Sequence, residues 1–393
     1  LSANSSLTAG AGGAVSVTGT GVTNSGTIIA GGGTVTVNAG TGTLTNTAVT
    51  GLISNSGSGN TINLTGDKMA LAGTITGGSG AVNIGNSTLS DAINLGSALD
   101  TTPATLELSA AELLTVATSG PLTIGNANNT GAITVSAAVA TTNATGGTTL
   151  INKTGGIAIN NVLTSGDGTK ALNLTVDGGT GVAGTISDAA GTTGVVAGLL
   201  TTRSNGGASL TGSGNAVTSF NATNAGLGNV LLSDVGGVDI TGISNAVGNV
   251  TLTNTGAISD SGAISAGLLT TSSAGGTVLD IGHTVTSFNA TNITSGAVSL
   301  LNTAGPLTVT GISNAAGSTV SVNNTGGITL STANVTGGSG LTTLTASGAL
   351  DLASQGVTGT GVSLSGAGVT QAGGTVDSGT GTLSINGNAN AVT

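Results

Sequence analysis

Pairs of apolar residues separated by a single residue recur along the chain at steps of about 20 residues. Val15 and Val17 form one such pair, and Val35 and Val37 form the next. The series continues with Ile62 and Leu64, Val82 and Ile84, Ile93 and Leu95, Leu114 and Val116, and Ile133 and Val135. This alternation is typical of a β-strand that buries one face, and the Gly, Asn and Thr-Gly between the pairs are typical of tight turns. The pattern predicts many short strands.

Short strands at a regular spacing build either sandwich domains or a parallel solenoid, and the available side chains favour the solenoid. A sandwich core is about 10 Å thick and needs bulky residues, whereas this chain has two Phe and neither Trp nor Tyr. A solenoid interior is a narrow stack of Val, Ile, Leu, Ala and Thr, in which Asn side chains at the turns can hydrogen-bond between coils. We therefore predict an all-β fold, a right-handed parallel β-helix (β-solenoid) of about 17 to 20 coils with Gly/Asn/Thr turns, which corresponds to a rod of roughly 80 to 95 Å.

A longer repeat overlies the short one. The stretch VTSFNATN occupies residues 217–224 and again 285–292, and AGLLTT and TGISNA also return after 69 residues. These landmarks define a duplicated unit of about 69 residues, 197–265 and 266–330. The unit divides into three coils of about 23 residues, which predicts that Phe220 and Phe288 lie three coils apart and that each fills a wide place in the core or covers a bulged turn.

We expect residues 1–393 to form one continuous β-solenoid. Terminal coils of such arrays need polar caps, and the strand pattern is still running at the last residues without an evident cap. The expectation is therefore a segment of a longer array, or a subunit whose open ends meet.

One phrase departs from the strand pattern. AELLTV begins at Ala111 and resembles a helix, and the only two Glu of the chain, Glu107 and Glu112, lie in or beside it. It is interpreted as a short excursion from the coil, although Leu114 and Val116 also fit the strand register.

Composition excludes several functions. Only 5% of the residues are charged, Lys and Arg number 4, and the net charge is −10. Nucleic-acid binding requires many Lys and Arg to displace counterions, so no nucleic-acid partner is expected. The chain contains no apolar run of the roughly 18 residues that span a membrane, so no membrane insertion is expected.

The duplication also tests for a catalytic site, because a site built once per unit would place the same charged residue in both copies. The charged positions do not match: Asp234 aligns with Thr303, Asp239 with Thr308, Arg203 with Ser272, Asp280 with Thr211, Asp260 with Leu330, and His283 with Asn215. We therefore predict that the chain is not an enzyme and has no catalytic, cofactor-binding or metal-binding residues and no cofactor. His283 is expected in a solvated turn.

Calcium binding by repeated loops is not predicted either. GGSGAVNI from Gly77 and NGGASLTGSGN from Asn205 contain the glycines of calcium-binding nonapeptides without the aspartates. The pairs Asp167 with Asp177 and Asp91 with Asp100 could meet across neighbouring coils, but solvated turn carboxylates are the favoured interpretation.

Asn-x-Ser/Thr sequences, the acceptors of N-glycosylation, are abundant in this composition. Examples begin at Asn63, Asn86, Asn143, Asn221 and Asn289. Their number follows from the Asn and Thr content, so they predict no particular glycan.

The phrase ASGALDLASQGVTGTGVSLSGAGVTQAGGTVDSGTGTLSINGNA, residues 346–389, resembles the repeat regions of filamentous-haemagglutinin-like bacterial surface exoproteins. The likeness is one of texture, in coils of about 20 residues with Gly-bounded x-L-x-L strands, and covers essentially the whole chain. It implies a secreted β-helix, extracellular or at the bacterial cell surface, that presents an adhesive or matrix-forming surface.

Two functions are expected, the first favoured by this resemblance and the second by the absence of evident caps and the low charge. The first is the structural stalk or matrix segment of a secreted cell-surface adhesin, without catalysis. The second is a self-assembling extracellular filament subunit, joined end to end by stacking of uncapped terminal coils. The expected partners are the chain itself, through end-to-end or lateral association, or neighbouring coils of the same giant chain, with host or cell-surface glycans as a further candidate.

Overall fold

Parallel strands stack as a right-handed β-solenoid of about 18 turns, which confirms the predicted fold and coil number. The structure is a computed structural model that describes residues 1–55, 59–176, 178, 184–303, 305–314, 317–388 and 390–393. The chain divides into two compact units, unit 1 (Leu1–Val217) and unit 2 (Thr218–Thr393).

The elements of unit 1 are short strands and one four-residue helix among the described residues. They are β1 (Ser6–Ala11), β2 (Val15–Thr18), β3 (Val22–Asn24), β4 (Thr27–Gly31), β5 (Val35–Asn38), β6 (Thr43–Asn46), β7 (Leu52–Ser54), β8 (Ile62–Thr65), β9 (Lys68–Leu71), β10 (Thr74–Gly78), β11 (Val82–Gly85), β12 (Ala92–Leu95), β13 (Thr105–Leu108), α1 (Ala110–Leu113), β14 (Val116–Thr118), β15 (Leu122–Gly125), β16 (Ile133–Val135), β17 (Val139–Ala140), β18 (Thr148–Asn152), β19 (Ile157–Ile159), β20 (Val162–Thr164), β21 (Leu172–Val176), β22 (Ile186–Asp188), β23 (Gly194–Ser204) and β24 (Ala208–Leu210).

The next strand, β25 (Ala216–Asn224), contains the division between the units. The strands of unit 2 that follow are β26 (Val230–Asp234), β27 (Val238–Asn245), β28 (Val250–Asn254), β29 (Ile258–Asp260), β30 (Ile264–Ser273), β31 (Thr277–Asn292), β32 (Val298–Asn302), β33 (Leu307–Ser313), β34 (Val320–Asn324), β35 (Ile328–Leu330), β36 (Val335–Thr336), β37 (Thr342–Ala346), β38 (Leu350–Asp351), β39 (Val357–Thr358), β40 (Val362–Ser365), β41 (Val369–Thr370), β42 (Val376–Asp377) and β43 (Leu383–Asn386).

The apolar-x-apolar pairs supply the core. Val15 of β2 lies in register with Val35 of β5, which continues through Ile62 and Val82 to Leu122 in successive parallel strands. Each of these side chains is buried, while the residues between them face outward. Because neighbouring parallel strands are about 4.8 Å apart, each apolar side chain packs directly on those of the coils above and below.

Asparagine side chains at the turns hydrogen-bond between coils, as predicted. The buried Asn302 donates from Nδ2 to Oδ1 of the buried Asn324 at 3.0 Å. Asn24 and Asn46 make the same contact at 2.9 Å in unit 1. A buried amide that is bonded both to its neighbour and to turn carbonyls satisfies the polar groups that a corner would otherwise leave unpaired.

The helix-like phrase is an excursion, which confirms that interpretation. The loop after β12 returns the chain so that β13 lies parallel to β12, with Ile93 in register with Leu106. The strand β13 also contacts β9. The helix α1 follows, with Ser109 as its N-cap and Glu112 completing a capping box. Leu114 is exposed and lies outside the strands, and β14 begins at Val116.

The duplicated unit does not contain three coils, so that prediction was wrong. In unit 2 the register runs from Val230 through Val250, Leu269 and Phe288 to Val309, with steps of 20, 19, 19 and 21 residues. A repeat of about 69 residues therefore contains about three and a half coils of this length. The coils are shorter than 23 residues because strands such as β30 and β31 continue through bends without a separate turn.

The half coil moves the second copy to another side of the solenoid. Phe220 lies in register with Ile240, which is in register with Asp260. Phe288 belongs to the other column of residues, between Leu269 and Val309. Both Phe are fully buried, as expected, but they fill the core from different sides of the coil.

Candidate functional site

Two groups of neighbouring charged side chains in the described part of the chain bear on a possible site. The first, the acidic cluster, consists of Lys68, Asp100, Glu107 and Glu112 beside the excursion of unit 1. The second, the buried pair, consists of Asp260 and His283 in unit 2. In so weakly charged a chain these are the places to test for chemistry.

Glu107 fastens the loop of the excursion. Its side chain is 1% exposed, and its carboxylate accepts hydrogen bonds from Ser97 Oγ at 2.6 Å, Thr102 Oγ1 at 2.9 Å and Thr102 N at 3.0 Å. Burial works to raise the pKa of Glu107, but these hydrogen bonds and the charge of Lys68 hold the pKa below its ordinary value. The carboxylate is therefore ionised and its acceptor sites are occupied by the protein itself.

The environment of Asp100 raises the pKa of its carboxyl group, in contrast to that of Glu107. Burial, followed by the charges of Glu112 and Glu107, raises the pKa of its carboxyl to about 6, against a weaker opposing effect of Lys68. Lys68 donates from Nζ to the carbonyl oxygen of Thr105 at 2.8 Å and to that of Thr102. The lysine thus holds the loop backbone, and its charge offsets the clustered carboxylates.

We expect Asp100→Asn to stabilise the protein at pH 7. The folded pKa is raised, so the folded chain binds the proton more tightly than the unfolded chain, and this carboxylate destabilises the fold as pH rises from about 4 to about 6. Asn also tolerates the positive φ of 49° at this position. The expected gain in the free energy of unfolding is below about 1 kcal/mol, because water screens a partly exposed group.

Urea unfolding at pH 7 and pH 3.5 measures this gain. It should nearly disappear at pH 3.5, because this pH lies below both the folded pKa of about 6 and the ordinary pKa of 3.8 in the unfolded chain. Asp167→Asn is the control, because hydrogen bonds from Thr169 lower the pKa of Asp167, so its loss should not stabilise the fold at pH 7. A gain for Asp100→Asn that is equal at both pH values would contradict the charge explanation.

His283 is buried rather than solvated, so the prediction of a solvated turn was wrong. Its side chain is 0% exposed, and Nε2 lies 2.9 Å from Oδ2 of Asp260, whose side chain is 1% exposed. His283 Nδ1 accepts a hydrogen bond from the N–H of Ile264 at 3.0 Å. Since Nδ1 is the acceptor, a neutral ring carries its proton on Nε2, the nitrogen that lies beside the carboxylate of Asp260.

The pair of Asp260 and His283 resembles the acid–base couple of a catalytic site, but both side chains are buried. Asp260 also accepts from the backbone N–H of Asp280 at 3.2 Å and Ile281 at 3.4 Å, and both His283 nitrogens have protein partners. Neither side chain has the exposed surface that contact with a substrate requires. The arrangement ties one coil to the next.

Unit 1 contains an equivalent arrangement, in which an aspartate contacts an asparagine instead of a histidine. Asp188 accepts from the backbone N–H of Thr211 at 2.7 Å and Gly212 at 2.9 Å, and from Nδ2 of Asn215 at 2.8 Å. Asn215 is the residue aligned with His283. The equivalence of Asp188 and Asp260 is not visible when residues 197–265 are aligned with 266–330, because Asp188 precedes the duplicated unit. The signal is the tripeptide ISD, at 186–188 and again at 258–260.

The stability that His283 contributes should depend on pH. Burial lowers the pKa of His283 below its ordinary value of 6.5, although Asp260 and Asp280 oppose this. Below pH 6.5 the unfolded chain binds a proton that the folded chain resists, so stability falls as pH decreases through that value. We expect the free energy of unfolding to decrease from pH 7.5 to pH 5.5 relative to His283→Asn, which carries the residue found in the other copy.

The difference between parent and variant isolates this effect. Asp100 titrates in the same range with the opposite sign, but it is present in both proteins and cancels. His283 is the only His in the chain. Urea unfolding at several pH values measures the difference, and a constant difference would show that the His283 pKa is not lowered by folding.

The remaining candidates are separate turn carboxylates. Asp167 accepts from Thr169 N at 3.0 Å and Thr169 Oγ1 at 2.6 Å, and Asp239 accepts from Ser261 Oγ at 2.6 Å. Asp177 lies outside the described residues, so its pairing with Asp167 is not tested. Asp91 and Asp100 have different charged neighbours: burial and then the charge of Asp67 raise the pKa of Asp91, whereas burial and then the charges of Glu112 and Glu107 raise the pKa of Asp100.

Within the described ranges, no group of three or more His, Cys, Asp or Glu could hold a metal ion. Nor does any helix in that part of the chain have the length and apolarity to cross a membrane.

Comparison with known proteins adds no relative. No family model, no curated protein and no solved structure matches the chain.

Proposed function

We propose that the chain is a structural stalk or matrix segment of a secreted bacterial cell-surface adhesin and does not catalyse a reaction. The observation that carries the proposal is the stacked solenoid whose core is sealed coil by coil and whose buried charges bond to their own turns. Such a structure resists bending because each coil contacts its neighbours along the entire strand. The resemblance of the repeats to filamentous-haemagglutinin-like exoproteins supports an extracellular or cell-surface location.

The second candidate is a filament subunit. A parallel strand whose outer edge is uncovered presents backbone N–H and C=O groups on which another chain can stack. This candidate rests on the parallel stacking of the coils, which a second copy of the chain can continue in the same way.

Electron microscopy of the purified chain across a dilution series distinguishes the two. A stalk segment should give separate rods of roughly 80 to 95 Å at every concentration. Continuous fibres that lengthen with concentration would replace the stalk with the filament. Compact particles would contradict both.

Antibodies against the purified chain test the location. They should label intact cells of the source organism as strongly as permeabilised cells. Labelling that requires permeabilisation would contradict a surface position.

A further inference from the structure

The ring of His283 contacts both ends of a bend in the preceding coil of unit 2. Its Nδ1 accepts a hydrogen bond at 3.0 Å from the backbone N–H of Ile264, the first residue of β30. Its Nε2 lies 2.9 Å from Oδ2 of Asp260, the last residue of β29. The bend 261–263 joins these two strands. One buried imidazole ring therefore fixes where β29 ends and where β30 begins.

In unit 1 an asparagine makes the equivalent two contacts. Oδ1 of Asn215 accepts from the backbone N–H of Val195 at 2.8 Å, and its Nδ2 donates to Oδ2 of Asp188 at 2.8 Å. Asn215 is the residue that aligns with His283. The side-chain amide does not titrate, so it presents one acceptor and one donor in neutral and in acidic solution alike.

Protonation changes which hydrogen bonds the ring of His283 can form. The neutral ring has an acceptor at Nδ1, which fits the N–H of Ile264. The imidazolium has an N–H on both nitrogens and no acceptor. Two donors would then face each other across 3.0 Å, and a buried donor without an acceptor is unfavourable. The charged ring is therefore incompatible with the closed bend.

The charged groups near the ring do not remove this conflict. Asp260 of β29 lies beside Nε2, and Asp280 of β31 also favours the charged ring. Asp239 of β27 accepts from Ser261 Oγ at 2.6 Å, and the strands β30 and β32 have no titratable side chain. Burial nevertheless lowers the pKa of His283, so the closed bend binds the proton less tightly than an open one.

A groove borders the bend and gives it room to move. The groove has a volume of about 320 Å³, and its lining includes Ile243, Ala263, Ile264, Ser265 and Thr284. Ile264 lies in register with Ile243 of the preceding coil, and both side chains are buried. Displacement of Ile264 therefore widens the groove and exposes two apolar side chains to solvent.

We propose that His283 is an acid-sensitive switch that closes the bend 261–263 in neutral solution and opens it in acidic solution. The ring takes up a proton from solvent at Nδ1, stays beside the carboxylate of Asp260 and releases the N–H of Ile264. The pairing of Leu268–Ser273 with Ser287–Asn292 holds the two coils together beyond the bend. The equivalent corner at Asn215 stays closed. The switch is independent of whether the chain serves as a stalk or a filament.

Hydrogen–deuterium exchange of the whole chain at pH 7.5 and pH 5.5, resolved to single amides, tests the switch. The opening equilibrium at Ile264, corrected for the intrinsic exchange rate at each pH, should increase about tenfold at pH 5.5. This follows because an open ring with the ordinary pKa of 6.5 is mostly protonated there and the closed ring is not. The amide of Val195, the counterpart in unit 1, should keep its protection.

Exchanging the two residues should move the switch from one corner to the other. His283→Asn should abolish the pH dependence at Ile264, and Asn215→His should create it at Val195. Circular dichroism confirms that each variant is folded. Because His283 is the only His in the chain, the ring ¹⁵N signals of the parent come from it alone, and the imidazolium should appear as Ile264 loses protection. These signals and the comparison of Ile264 with Val195 decide the matter even where a variant does not fold.

Three results would overturn the proposal. They are equal protection of Ile264 at both pH values, a loss of protection that folded His283→Asn retains, and an imidazolium signal while Ile264 stays protected. A loss of protection at pH 5.5 that is equal along all coils would also overturn it, because acid would then destabilise the whole solenoid and not this bend.

Discussion

Phe288→Ala is expected to reduce the free energy of unfolding by about 3 to 5 kcal/mol, the largest effect of any single substitution considered for this protein. Phe288 is fully buried, with Leu269 and Val309 as its partners in the coils below and above. The interior of a solenoid is only one side chain deep between its faces, and the strands are fixed by their hydrogen bonds. The walls therefore cannot close on the cavity, and both the lost burial and the cavity contribute.

Urea unfolding followed by circular dichroism measures this loss, with Val278→Ala as the matched control in the same strand. Val278 faces outward and is 39% exposed, so its truncation should change the free energy by no more than about 0.5 kcal/mol. Phe220→Ala should resemble Phe288→Ala. Because the two Phe share no neighbour in register, their losses should add within about 0.5 kcal/mol in the double variant. A loss below about 1 kcal/mol for Phe288→Ala would mean that the core can collapse.

Asp260→Ala is expected to cost about 3 kcal/mol, the upper part of the range for a buried donor that loses its acceptor. His283 Nε2 is sealed inside the coil and lies 2.9 Å from Oδ2 of Asp260, whose carboxylate is the polar group beside it. The backbone N–H groups of Asp280 and Ile281 lose the same partner, but these residues are exposed and water can replace the carboxylate. The cost therefore comes mainly from the histidine.

A double-mutant cycle with His283→Ala checks this assignment. The double variant should lose less than the sum of the single variants, by about 1 to 3 kcal/mol, because the unpaired donor is removed together with its acceptor. Asp280→Ala is the control, since its exposed carboxylate should be worth less than about 0.5 kcal/mol. Strict additivity of Asp260→Ala and His283→Ala would show that the two side chains do not stabilise each other.

The solenoid was predictable because its determinants are local. Val15 and Val17, like the later apolar pairs, bury their side chains through the alternation of a strand, and Gly between pairs permits the turns. The corner contacts of Asn302 and Asn324 were also predictable, since stacked coils bring identical turn residues together. The buried position of His283 was not, because a lone titratable residue gives no signal of the carboxylate one coil below it.

The sequence by itself determined that this chain forms stacked parallel coils and that one unit of about 69 residues is duplicated. Tertiary structure decided how the coils are counted, since strands such as β31 pass through bends that carry no turn residues. That count places Phe220 and Phe288 in different columns of the core. Tertiary structure also decided that Asp260 Oδ2 lies 2.9 Å from His283 Nε2. The physical reason is that periodicity along a chain determines which residues face inward, whereas contacts between coils depend on the length of every bend before them.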